Sequence, residues 1–118
     1  MLFSNEKQKI KDYNLCLESL YVSLLVEEER FTEGFRMAEA LLRKLDFENS
    51  DKIWKYAKIN RIRCLFGLDE HEKVIEFVEE FLEEYSTISL KDKLKMVSIL
   101  MSCLKKTHQL EKAEQIMV

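Results

Sequence analysis

Hydrophobic residues recur along most of the chain with the spacing of an amphipathic α-helix. Between positions 74 and 82, the apolar residues Val74, Ile75, Val78, Phe81 and Leu82 follow helical intervals, and glutamates fill three of the four positions between them. Intervals of three and four residues place such side chains on one face of a helix. This stretch therefore predicts a helix with one buried side and one solvent-facing side.

The same periodicity, interrupted by short polar segments, divides the chain into six predicted helices. Their spans are about 5–29, 32–46, 51–66, 70–85, 90–106 and 109–118. Candidate N-caps precede three of them: Asn49 and Ser50, then Asp69 with Glu72, then Ser89 with Asp92. Gly67 is placed to end the third helix in a left-handed conformation.

Composition agrees with an all-α fold. The chain has no proline and only two glycines, Gly34 and Gly67, so it lacks the residues that sheet proteins need at their turns. A length of 118 residues is the usual size of one domain. We therefore expect a single helical domain over residues 1–118.

An internal repeat relates three parts of the chain. The segment Cys64-Leu65 with Glu72-Lys73-Val74 reappears 39 residues later as Cys103-Leu104 with Glu111-Lys112-Ala113. Moving back 40 residues from the middle copy leads to Leu24-Leu25 and Thr32-Glu33-Gly34. Three repeats, at about 10–47, 50–86 and 89–118, therefore share one register.

These repeats resemble tetratricopeptide repeats, in which two antiparallel helices meet at a small residue early in the second helix. The residues at that place are Gly34, Val74 and Ala113. The family also has a large apolar residue near the end of the first helix, and here that position holds Leu25, Leu65 and Leu104. The spacing here exceeds the family's repeat of about 34 residues, and the prolines that often end a repeat are absent. The resemblance implies a right-handed α-α superhelix of about three helical hairpins.

The last repeat stops partway through its second helix, so we expect its apolar side to be covered by something else. Leu110, Ile116 and Met117 have no following repeat to pack beneath. Either the array continues, or a second copy of the chain covers the C-terminal hairpin as a homodimer. On the second alternative these three residues form the oligomer interface.

Charge is distributed unevenly, although the net charge is only −3. Residues 52–63 contain five basic side chains and no acid, whereas residues 69–84 contain eight acids and one lysine. In tetratricopeptide arrays the first helix of each repeat lines a concave groove, so the resemblance implies a basic groove. Its predicted partner-binding residues are Lys55, Lys58, Asn60, Arg61 and Lys95. Such a groove favours an acidic peptide, and the alternative is an ordinary solubilising surface.

Residues that carry catalysis or bind metals are sparse. The sequence places no Cys or Ser partner beside His71 or His108, and it has no glycine-rich phosphate loop. The three cysteines, Cys16, Cys64 and Cys103, lack zinc-site spacing and are predicted to be small core residues. We therefore expect no enzymatic activity, cofactor or metal.

The function predicted from the sequence is that of a cytoplasmic adaptor or scaffold that binds a peptide segment of a partner protein. No segment has the roughly 20 apolar residues of a membrane span, and the N-terminus lacks a secretory pattern. Two alternatives stay open: a fragment of a peptide-sensing bacterial regulator, and a homodimerising structural module. Nucleic acid is not the expected partner, although Trp54 and Tyr56 stand among lysines.

Overall fold

The computed structural model describes residues 2–45, 51–85 and 87–117, which form six α-helices and no strand. The helices are α1 (Leu2–Glu27), α2 (Phe31–Lys44), α3 (Asp51–Gly67), α4 (His71–Glu84), α5 (Leu90–Lys106) and α6 (Leu110–Met117). The prediction of an all-α chain with six helices is confirmed for the described residues. Each predicted helix end lies close to the observed one because helical periodicity is a local property of the sequence.

The same turn joins the two helices of each hairpin. Glu29, Asp69 and His108 have φ angles of 59°, 60° and 60°, and they are separated by the 40 and 39 residues of the sequence repeat. The next residue donates its N–H to a carbonyl five residues earlier: Arg30 to Leu25 (2.9 Å), Glu70 to Leu65 (3.0 Å) and Gln109 to Leu104 (2.8 Å). This is the Schellman pattern, which satisfies the last carbonyls of the first helix and reverses the chain.

Two local predictions at the α3–α4 turn are wrong. Gly67 is the last residue of α3 and does not have a positive φ, whereas Asp69 does. Asp69 is therefore the left-handed residue of the turn, and the N-cap of α4 is Glu70, whose side chain makes no capping hydrogen bond. Aspartate adopts this conformation more readily than most residues, which makes glycine dispensable here.

Of the other two predicted N-caps, the one of α5 is observed and the one of α3 lies outside the described residues. Ser89 is the N-cap of α5, and its Oγ accepts a hydrogen bond from the backbone N–H of Asp92 at 3.2 Å, as predicted. Asn49 and Ser50, predicted to cap α3, lie outside the described residues.

The chain divides into two units, Met1–Cys64 and Leu65–Val118. In the N-terminal unit, α1, α2 and the first part of α3 share a hydrophobic core. Its central cluster consists of Leu15, Leu41, Leu42, Leu45 and Ala57, with Ile53 and Trp54 packed against it. Towards its C-terminal end α1 also buries Val22, Leu25 and Val26. One side of α1 therefore belongs to this core.

Gly34 brings α2 close to both neighbouring helices of the N-terminal unit. A Cβ atom at this position would lie 2.8 Å from Sγ of Cys64 on α3 and 3.6 Å from Cβ of Leu25 on α1. Real Cβ atoms do not approach other atoms as closely as the first distance. The small residue in the first repeat is therefore required by packing within this unit.

In the C-terminal unit the core forms where α4 packs against α5 and α5 against α6. The predicted apolar stripe of α4 is buried at Val74, Ile75, Val78 and Phe81, and Leu82 is half-buried. The facing residues of α5 are Met96, Leu100, Cys103 and Leu104, and α6 adds Ala113. An ion pair of 2.7 Å from Lys112 to Glu79 also links α6 to α4.

Candidate interaction surfaces

The first candidate surface lies on the first two turns of α3, where two lysines stand beside aromatic rings. The Nζ atom of Lys55 lies 5.1 Å from the centroid of the Tyr56 ring, and that of Lys58 lies 5.2 Å from the Trp54 ring. Lys52 is exposed one turn earlier. After Asp51, α3 carries no acidic residue. We call these five residues, Lys52, Trp54, Lys55, Tyr56 and Lys58, the Lys–aromatic patch.

The arrangement holds positive charge at the surface in a defined position. An ammonium group above an aromatic ring is attracted by the negative face of the ring, by about 0.5–1 kcal/mol at exposed sites. Lys55 and Lys58 are half-buried and Tyr56 is exposed. The lysine stems therefore pack along the helix beside the two rings.

Two predicted binding residues on α3 are engaged within the N-terminal unit. Asn60 is only 4% exposed, and its Nδ2 donates a hydrogen bond of 3.0 Å to Oγ of Ser23 on α1. Its Oδ1 accepts from Nη1 of Arg63 at 3.4 Å. Nη1 of Arg61 lies 3.8 Å from Oε1 of Glu39 on α2. Asn60 thus joins α3 to α1, and the direct partner contact predicted for it does not fit its burial.

The other predicted residues lie on the C-terminal unit. Lys95 is exposed on α5, and a groove that it shares with α3 stays a prediction. On α6, Leu110 is 65% exposed and Ile116 is 38% exposed, whereas Ala113 between them is buried. Met117 ends α6, and its side chain lies outside the described part of the structure.

A second candidate surface, missed in the sequence, runs along α1. Six large apolar or aromatic side chains of this helix are between 43% and 67% exposed: Ile10, Tyr13, Leu17, Leu20, Tyr21 and Leu24. We call this row the α1 seam. Except for Tyr21 its members follow intervals of three, four, three and four residues, which is the heptad spacing of helix pairs. The heptad spacing is present in the sequence, but the apolar residues of the buried side of α1 lie between these positions and make the spacing hard to recognise.

The cysteines differ in their environments. Cys64 and Cys103 are fully buried, as predicted, but Cys16 is exposed, so the prediction that all three belong to the core is wrong for Cys16. Burial raises the pKa of the Cys64 thiol to about 11 and also raises the pKa of Cys103. Cys16 lies beside the α1 seam, on a side of α1 that the core does not cover.

His71 does have a thiol neighbour, contrary to the expectation from the sequence. Its Nδ1 lies 3.6 Å from Sγ of Cys103, and its Nε2 lies 3.8 Å from Oδ1 of Asp69. A catalytic cysteine needs a lowered pKa and access to substrate. Cys103 has a raised pKa because it is buried, so the Cys103–His71 contact supports a packing role.

None of the helices in the described residues is long and apolar enough to cross a bilayer. Within the same residues, no three His, Cys, Asp or Glu side chains are grouped so that they could hold a metal ion.

Comparison with known proteins does not assign a fold to this chain. No family model, no curated protein and no solved structure matches it. The resemblance to tetratricopeptide repeats therefore rests on the residues of this sequence.

Proposed function

We propose that this chain is a non-enzymatic protein-interaction module whose Lys–aromatic patch binds an acidic peptide segment of a partner protein. The observation that carries the proposal is the stacking of Lys55 and Lys58 on the rings of Tyr56 and Trp54. The carboxylates of an extended acidic segment are opposite in charge to two neighbouring ammonium ions, which attract them.

Pre-organisation is the physical reason for choosing this patch among the basic residues. Holding a lysine in one rotamer costs up to about 2 kcal/mol of conformational entropy. A lysine already packed on a ring has lost part of that freedom before the ligand arrives, so binding costs less. The exposed Tyr56 ring and the half-buried Trp54 ring beside the charges are of the residue types that are enriched in protein interfaces.

The three similar hairpin turns support the proposal that the patch belongs to a tetratricopeptide-like superhelix. The three Schellman turns lie at the spacing of the sequence repeat, and α3 is the first helix of its hairpin. In the family that the sequence resembles, first helices line the peptide groove. The three cysteines, an odd number without paired spacing, fit a reducing compartment better than a disulfide framework, and we propose a cytoplasmic location.

The proposal is tested with a short peptide of glutamate and serine. Because the chain has a single tryptophan, Trp54, its emission reports binding at the patch without a label. We expect Lys55→Gln with Lys58→Gln to weaken binding by about 5- to 30-fold, corresponding to about 1–2 kcal/mol for the loss of two charge contacts at the surface. Added salt should weaken binding of the unmodified chain as well.

A matched control removes the same charge elsewhere. Lys91 and Lys93 are exposed on α5, and Lys91→Gln with Lys93→Gln should leave the affinity unchanged. Equal losses from both pairs would show attraction to overall charge, which contradicts a patch-specific site. Tighter binding of a single-stranded oligonucleotide than of the peptide would assign the patch to base stacking and overturn the proposal.

A further inference from the structure

We propose that a groove between α1 and the end of α2 binds a small carboxylic acid with an aliphatic chain. The groove belongs to the N-terminal unit and shares no lining residue with the Lys–aromatic patch. The inference therefore does not depend on peptide binding.

The groove is large enough for a small organic ligand. It is open to solvent and has a volume of about 540 Å³. It runs along α1 from Lys7 to Glu18, about 16 Å at 1.5 Å per residue, and Lys44 of α2 lines it as well. Binding sites for small molecules usually have volumes of about 300–1,000 Å³, so the groove lies within this range.

Part of the lining is apolar. Leu15 belongs to the core cluster of the N-terminal unit, and Ile10, which is also a member of the α1 seam, is 61% exposed. The aliphatic stems of Lys7 and Lys11 add methylene groups beside them. Burial of an aliphatic chain against this surface removes apolar area from water and favours binding.

The charge of the lining favours an anion. Three lysines, Lys7, Lys11 and Lys44, and one glutamate, Glu18, give it a formal charge of +2. Oε1 of Glu18 lies 2.9 Å from Nζ of Lys44, so these two groups compensate each other. Among the described residues, no ion pair involves Lys7 or Lys11. These two lysines are four residues apart on one side of α1, and together they attract a ligand carboxylate.

The other acidic residues in this part of α1 lie outside the lining. Glu6 precedes Lys7 and Asp12 follows Lys11, so each is turned by about 100° around the helix from the lysine beside it. Oδ1 of Asp12 accepts a hydrogen bond of 2.9 Å from Nε2 of Gln8, and neither residue lines the groove. The carboxylates of Glu6 and Asp12 therefore do not take the place of a ligand carboxylate.

The two ends of the groove differ, which indicates a ligand with a single charged end. Lys7 and Lys11 lie towards the N-terminal end, whereas Glu18 lies at the other end and repels a second carboxylate. We therefore place the ligand carboxylate beside the two lysines, with the aliphatic chain extending along Ile10 and Leu15.

Octanoate is the probe, and its binding to the full chain is measured from backbone amide NMR signals. We expect saturable shifts in residues 7–18 and at Lys44. Acetate carries the same charge without the long chain, and octylammonium carries the same chain with the opposite charge. Both should bind at least about 10-fold more weakly than octanoate, because each lacks one of the two contributions.

Substitutions in the lining test the two contributions separately. Lys7→Gln with Lys11→Gln should weaken octanoate binding by about 10-fold or more, and Ile10→Ser by about 3- to 10-fold. All three side chains are exposed, so helical circular dichroism should stay unchanged. Lys91→Gln with Lys93→Gln removes the same charge from α5 and should leave octanoate binding unchanged.

Several results would overturn the inference. Octanoate binding that is no tighter than acetate binding, or equal losses from the two lysine pairs, would show attraction to surface charge alone. Shifts confined to other helices would place the ligand elsewhere. Displacement of octanoate by the glutamate and serine peptide would assign the groove to a peptide segment. Because peptide binding at the patch is measured separately through Trp54 emission, either proposal can fail alone.

Discussion

The contact between Gly34 and Cys64 shows how one residue sets the distance between two helices. The Cβ position of Gly34 lies within 2.8 Å of a sulfur atom that is itself fully buried. Glycine in a helix interior normally lowers stability by about 0.5–1 kcal/mol relative to alanine. The Cys64 thiol occupies the space that a side chain at position 34 would need, which explains why α2 has a glycine there.

Gly34→Ala should therefore destabilise the chain, although alanine is the better helix former. We expect the free energy of unfolding to fall by about 1–2 kcal/mol, because overpacking a core outweighs the gain in helix propensity. Chemical denaturation followed by circular dichroism measures the change.

Shortening the opposing side chain supplies the control for this prediction. In a Cys64→Ala background the sulfur is gone, and Gly34→Ala should become neutral or stabilising. The double-mutant cycle then gives a coupling free energy between the two positions. An equal loss in both backgrounds would contradict the packing explanation.

The roles of single residues were the part of the structure least accessible from the sequence. Asn60 was placed in the binding groove by its position in the repeat, but it is hydrogen-bonded to Ser23, which is 37 residues away in the sequence. Cys103 and His71 are likewise brought together from different helices. Such contacts depend on how helices pack, and periodicity within one helix carries no information about them.

At the scale of helices and turns, the sequence was more informative because the relevant forces are local. The apolar stripe of α4 and the Ser89 cap were predicted from neighbouring residues and are present. The α3–α4 turn was misplaced by two residues, because Gly67 offered a stronger left-handed signal than Asp69. The α1 seam was missed because α1 carries apolar residues on two sides.

The left-handed residue of the last hairpin provides a prediction at this scale. His108 has a φ of 60° and is exposed. A residue with a Cβ is strained in this conformation, so His108→Gly should raise the free energy of unfolding by about 0.5–1 kcal/mol. Thermal or chemical denaturation measures the gain.

A glycine placed in regular helix should have the opposite effect. Lys105 lies in the last turn of α5, and Lys105→Gly should lower the free energy of unfolding by about 0.5–1 kcal/mol. If both substitutions lower stability by the same amount, the turn is not strained at His108.

At the scale of the whole molecule, the proposed peptide binding depends on one surface of the N-terminal unit, the Lys–aromatic patch on the first two turns of α3.

The central claim is that the Lys–aromatic patch is a peptide-binding surface, and mapping the contact residue by residue tests it most directly. Backbone amide NMR signals of the unmodified chain are followed while the glutamate and serine peptide is added. The account predicts that the largest shifts lie in residues 52–58 of α3 and that they saturate with the change in Trp54 emission. Shifts confined to other helices, or no shifts at low salt, would contradict it.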